Sequence, residues 1–203
     1  MLYNNRRMEY RKIIQYLQIS LISFFVLLMI CVAIRPTGLI ANSGISYYGV
    51  YGNTLLPYSL GFLLVSVATW RSASIMQAET KSEKHIRRAL QAFTILFLGL
   101  LLTPHTVLPG EHVFFGSTLF GLQLILGILL VLTVRRDWIN AFLLAIAFLS
   151  GVASLIYLTS SHGYMIQSQV IFQVSIWLLF IRAFAYLDYK KKSKVADLHN
   201  AQA

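Results

Sequence analysis

The residues of this chain with the most versatile chemistry are three histidines, His105, His112 and His162, together with Glu111 beside the second of them. Imidazole and carboxylate groups can ligate zinc, and a catalytic zinc takes three such ligands while leaving a position open for water. A serine hydroxyl next to a histidine base is a second chemistry these residue types allow, for instance Ser43 with His112. The spacing is irregular, with His105 and His112 set in a stretch that also holds Pro104, Pro109 and Gly110, and nothing resembles HExxH. The reading taken first is therefore that these histidines hydrogen-bond to loop carbonyls at an interface, with no metal and no other cofactor. Its rival is a metal-dependent hydrolase built from His105, His112, His162 and Glu111, with Arg35 and Ser43 on the same face.

Three amides form a second group. Gln169 and Gln173 are one helical turn apart and share a face in the sixth apolar run, and Gln123 lies in the fourth. All three fall inside apolar runs, where polar groups need partners within a helix bundle. Interhelical hydrogen bonding is the first reading, and a polar path for a small-molecule or lipid transporter is the alternative. No acid and no lysine falls in the middle of an apolar run, which removes the usual proton relay. There is no P-loop, no dinucleotide fingerprint, and no haem or iron–sulfur motif.

The elements that must hold these groups follow from composition. The 203 residues are 57% hydrophobic and only 12% charged, with a mean hydropathy of +0.67, too little polar surface for an ordinary soluble domain. A hydrocarbon core of about 30 Å takes roughly 20 helical residues to cross. Six apolar stretches approach that length, at about 13–34, 54–71, 89–108, 113–134, 138–158 and 164–187. The expected fold is all-α, a polytopic membrane bundle of six transmembrane helices with both termini cytoplasmic. Residues 1–12 form a cytoplasmic amino-terminal segment, 13–187 the transmembrane domain and 188–203 a cytoplasmic basic tail. The first run is too long for a signal-peptide core and reads as a retained span.

Between the spans, residues 37–54 carry no charge and are rich in Gly, Ser, Asn and Tyr, as in a re-entrant or interfacial loop. Residues 72–88 read as a solvated connection and 135–137 as a tight turn. Ala147, Ser150, Gly151 and Ser154 at helical spacing predict a close-packing face, and Ser117 with Gly121 a second one. Cys31, the sole cysteine, reads as an apolar filler, and Arg182 as a side chain snorkelling to the interface.

Charge gives the orientation. Of 17 Lys and Arg residues, 16 fall in or beside the termini and the second and fourth connections, and only Arg35 falls on the other side. The positive-inside rule then places both termini in the cytoplasm. The net charge of +10 is thus topological and needs no nucleic-acid partner, while the basic inner rim favours anionic lipid headgroups. Trp70, Trp138 and Tyr189 mark the inner boundary, and Tyr47, Tyr48 and Tyr164 the outer one. The expected protein is a multi-pass protein of a bacterial-type inner membrane: structural, lipid-associated or partner-binding rather than enzymatic. A homo-oligomer or a membrane-protein partner are the assemblies such a bundle allows.

Two stretches carry a resemblance. In ISYYGVYGNTLLPYSLGFLL, from Ile45 to Leu64, the order Ser, Gly, Pro, then an apolar helix with Gly resembles the opening of the prokaryotic six-span membrane family catalogued as domain of unknown function 998. That family is itself distantly similar to the Frag-type and DRAM-type membrane proteins. The turn TPHTVLPGEHVFFGSTLF is similar to the family's outer loop, with Pro104 or Pro109 and then His112 at the start of span four. The chain differs in carrying Tyr47-Tyr48 where smaller residues or leucine are usual. The resemblance implies a six-span fold and a membrane location, and no reaction.

Overall fold

The computed structural model describes residues 2–134, 136–159 and 163–200. Among them are six α-helices and two short 3-10 helices, and no strand. The α-helices are α1 (Leu2–Ile34), α2 (Gly52–Ile75), α3 (Lys81–Leu102), α4 (Pro109–Thr133), α5 (Trp138–Thr159) and α6 (Met165–Asn200). Each contains a stretch of 21 to 26 residues long and apolar enough to cross a membrane. The expected six-span, all-α architecture is what the chain forms.

The helices alternate in direction. One end of the bundle, here the cap end, therefore gathers the α1–α2 and α3–α4 connections, the end of α5 and the start of α6. The other, the basic end, gathers the α2–α3 connection, the end of α4, the start of α5, the start of α1 and the end of α6. Around the bundle α1 packs on α2, α2 on α3, α3 on α4, and α5 on α6, while α6 also packs along α1. Phe93 of α3 stacks on Phe180 of α6 with ring centroids 6.0 Å apart, and Tyr10 of α1 meets Phe184. The seam between α4 and α5 is far sparser than that between α5 and α6.

Several boundaries differ from expectation. The charged stretch 72–88 is mostly helix: α2 runs on to Ile75 and α3 starts at Lys81. Thr80 caps α3 in a capping box, its hydroxyl accepting from the Glu83 N–H while the Glu83 carboxylate accepts from the Thr80 N–H. Glu83 is buried and also accepts from the Tyr10 hydroxyl at 2.7 Å, tying α3 to α1. At its other end α3 stops at Leu102 instead of 108, because Pro104 forces Thr103 out of helical geometry. The amino-terminal segment and part of the lysine-rich tail continue α1 and α6 as helix.

The expected small-residue face of α5 is present, with Ala147, Ser150 and Ser154 buried and Ser154 sharing a 2.8 Å hydrogen bond with Ser168 of α6. The second one is not: Ser117 is exposed and nothing lies within 4 Å of a Cβ built on Gly121. Cys31 is buried, as expected of a filler. Arg182 does more than snorkel. It donates to Asn140 Oδ1 at 2.9 Å and pairs with Asp137 at 3.3 Å, while the other Asp137 oxygen accepts from the Asn140 N–H at the start of α5.

Candidate functional site

The cap end is built on residues 36–50, two 3-10 helices, η1 (Pro36–Ile40) and η2 (Gly44–Val50). Such helices are short because their hydrogen-bond geometry is poorer than that of an α-helix, so this pair needs holding down. Helix α6 supplies two tethers, Gln167 donating to the Leu39 carbonyl at 3.0 Å and Gln169 Oε1 accepting from the Ile45 N–H at 2.8 Å. Gly44 begins η2 at φ 58°, a left-handed conformation that glycine adopts without strain, and a Cβ there would run into the Gln169 amide. Tyr48 is fully buried beneath the cap, and Thr54 donates to its carbonyl at 2.8 Å.

Arg35 belongs to this cap and not to the histidines. Its guanidinium lies 3.4 Å from the centroid of the Tyr51 ring, and Nε donates to the Tyr47 hydroxyl at 3.0 Å. The Thr37 hydroxyl and then Arg35, both hydrogen-bonded to that phenol, draw its pKa down to about 8. Glu111 sits in the first turn of α4, fully outside the cluster and exposed, where its charge suits the positive helix end.

The polar centre consists of His112, His105 and Ser46. His112 is buried on the first turns of α4, which Pro109 opens at its first position. Its Nδ1 lies 2.5 Å from the Thr103 carbonyl oxygen and its Nε2 lies 2.6 Å from Ser46 Oγ. The serine that reaches the histidine is thus Ser46, and not the Ser43 considered from the sequence. Ser43 precedes η2 and Ser46 lies within it; both border the cavity, and of the two Ser46 meets the ring. His105 lies beside them with its ring centroid 6.0 Å from that of His112. Burial lowers the His105 pKa below its ordinary value, against a smaller opposing pull from the Ser46 backbone. Its buried Nδ1 has no hydrogen-bond partner among the described residues.

No group of three His, Cys, Asp or Glu side chains able to hold a metal ion occurs among the described residues. His162, the third proposed ligand, lies outside them. His105 and His112 come together, while Arg35 and Glu111 do not join them.

Below the polar centre is a cavity of about 520 Å³, within the roughly 300–1,000 Å³ typical of small-ligand sites. Its wall is predominantly apolar, with Phe24, Phe62, Phe97 and Phe172 among the lining side chains. Phe120 of α4 stacks on Phe172 of α6 at 4.1 Å. Deeper in the bundle, Gln123 and Gln173 pair amide to amide at 3.2 and 3.3 Å, and the Trp177 indole donates to Gln173 at 3.2 Å. Those two glutamines satisfy one another between α4 and α6, and Gln169 is engaged with the cap. Gln123 and Gln173 thus form one hydrogen-bonded unit and Gln169 belongs to another, while all three line the cavity.

The cavity is open on one side. Val113 of α4 and Leu155 and Leu158 of α5 line it and are also 51%, 57% and 45% exposed, so its mouth is the sparse α4–α5 seam. No family profile, no curated protein and no solved structure matches the chain. What the site defines is a six-span integral membrane protein with a laterally open, apolar cavity and a histidine–serine cluster at its capped end.

Proposed function

We propose that this membrane protein holds one amphiphilic lipid, its apolar chain in the interhelical cavity and its polar head beside Ser46, His105 and His112. The observation that carries the reading is the mouth of the cavity: the exposed side chains of α4 and α5 that line it belong to two apolar, span-length helices, whose outward faces would meet lipid. A hydrocarbon chain meets phenyl and aliphatic walls there, and a headgroup meets hydrogen-bonding groups next to the cap. The unpartnered His105 nitrogen offers such a head an acceptor without displacing any contact. The lateral mouth suits a ligand arriving from the bilayer.

The distribution of Lys and Arg supports an orientation with both termini cytoplasmic, in a bacterial-type inner membrane, and the cap end on the outer side. The lipid would then be drawn from the outer leaflet, while the basic end rests on anionic headgroups of the inner one. The six-span family resemblance is in keeping with this location.

Native mass spectrometry of the full chain released gently from nanodiscs tests the proposal. Wild type should retain one lipid mass, and Gly116→Leu should lose it by about tenfold, equivalent to ~1.4 kcal/mol of binding. Gly116 lines the cavity, and a Cβ there meets only Leu100, at 3.6 Å, so the larger side chain can fill the space without disturbing the bundle. A wild-type chain that carries no lipid under these conditions contradicts the reading.

A further inference from the structure

The contacts of His112 fix its proton. A carbonyl oxygen can only accept, so the 2.5 Å contact with Thr103 requires a hydrogen on Nδ1. In the neutral ring Nε2 is then bare, and the 2.6 Å contact with Ser46 is the serine hydroxyl donating to it. A nucleophile hydrogen-bonded to a base, and the base oriented by a third group, is the arrangement that activates serine.

We infer that Ser46 and His112 form an acyl-transfer site that cleaves an acyl ester of the amphiphile held in the cavity, with Ser46 as nucleophile and His112 as general base. The inference rests on the lipid-holding proposal, since the cavity is what brings an ester to the serine. Thr103 takes the position a carboxylate holds in the familiar triad. Its carbonyl is available because it ends α3, where the last carbonyls have no partner within the helix and Pro104 prevents continuation. A neutral carbonyl stabilises the imidazolium less than a carboxylate does, so turnover is slow.

Gln169 lines the cavity, and its Oε1 accepts from the N–H of Ile45, the residue next to Ser46, which holds the serine's 3-10 helix against α6.

The step balances with water as co-reactant. Ser46 Oγ bonds to the ester carbonyl carbon as its proton passes to His112 Nε2. The ester C–O bond breaks and the leaving alkoxide takes that proton, giving a free alcohol and acyl-Ser46. Water, deprotonated by His112, then attacks the acyl carbon, and the proton returns to Ser46 as the fatty acid leaves.

The test uses the full chain in phosphatidylethanolamine–phosphatidylglycerol nanodiscs and a long-chain alkyl fluorophosphonate, with peptide mapping of the adduct. Wild type and an exposed-serine control, Ser74→Ala, should label at Ser46, and Ser46→Ala should not. His112→Gln should slow labelling at least ~100-fold, the usual worth of a general base. To guard against misfolding, Ser46→Cys should be alkylated at position 46 by iodoacetamide much faster than Ser46→Cys combined with His112→Gln. Absence of a Ser46 adduct in a wild-type chain that still retains its lipid overturns the acyl-transfer inference and leaves lipid holding intact. Absence of both overturns the two together.

Discussion

The two ends of the bundle use buried polar groups in opposite ways. At the basic end Glu83 accepts from Tyr10 and from the Thr80 and Glu79 N–H groups, and Arg182 binds Asn140 and Asp137, so each charge is tied to several neighbours, at least one of them distant in the chain. At the cap end the histidines and Ser46 make few bonds, and they border a cavity. A buried polar group that is fully engaged fixes a fold, because removing it strands its partners. One that keeps an unused nitrogen or hydroxyl beside open volume can meet a ligand. The contrast assigns stability to one end and chemistry to the other.

Substitutions should separate the ends in that way. The largest effect on stability is expected at Glu83, where Glu83→Ala removes a buried acceptor of three hydrogen bonds and should cost roughly 3 kcal/mol in reversible unfolding in detergent, with lipid retention per folded molecule unchanged. Arg182→Ala should follow at about 2 kcal/mol, because it removes the guanidinium that joins α6 to Asn140 and Asp137. Loss of lipid in either folded variant would break the comparison. Gly44→Ala sharpens it from the other side. The left-handed backbone alone costs ~1–2 kcal/mol with a Cβ, and crowding of Gln169 should loosen the cap and reduce Ser46 labelling together.

The smallest effect is a pH dependence. The unfolded His105 imidazole binds its proton near about pH 6.5, and the folded one, depressed by burial, at lower pH. Between those values the unfolded state holds more protons, so stability falls as pH drops below about 6.5. The difference in melting temperature between wild type and His105→Gln should shrink over that window and stay constant above it. A difference independent of pH would show that His105 is not buried as described.

The six spans were legible because lipid demands long apolar helices, and each such run is visible by length alone. The ends of α3 were not, since hydropathy falls at Lys81–Arg88 although a capping box keeps that stretch helical. The place of His112 in the first turns of α4 could be read from Pro109 just before it. Its partner could not: Ser43 and Ser46 flank the left-handed Gly44, and which one meets the ring depends on how that turn and α6 set the 3-10 helix. The cavity was hidden for a similar reason. Ser117 and Gly121 have the spacing of a packed face, but Ser117 lines the gap that separates α4 from α5.

The central claim is that the α4–α5 seam admits a lipid chain, and site-resolved photo-crosslinking tests it most directly. With a phospholipid carrying a diazirine near the middle of one acyl chain, adducts should concentrate on cavity residues such as Phe97, Phe120 and Phe172, and Gly116→Leu should abolish that cluster while leaving adducts on outward-facing Ile22 and Met29 of α1. Adducts confined to the outward faces in both proteins would contradict the account.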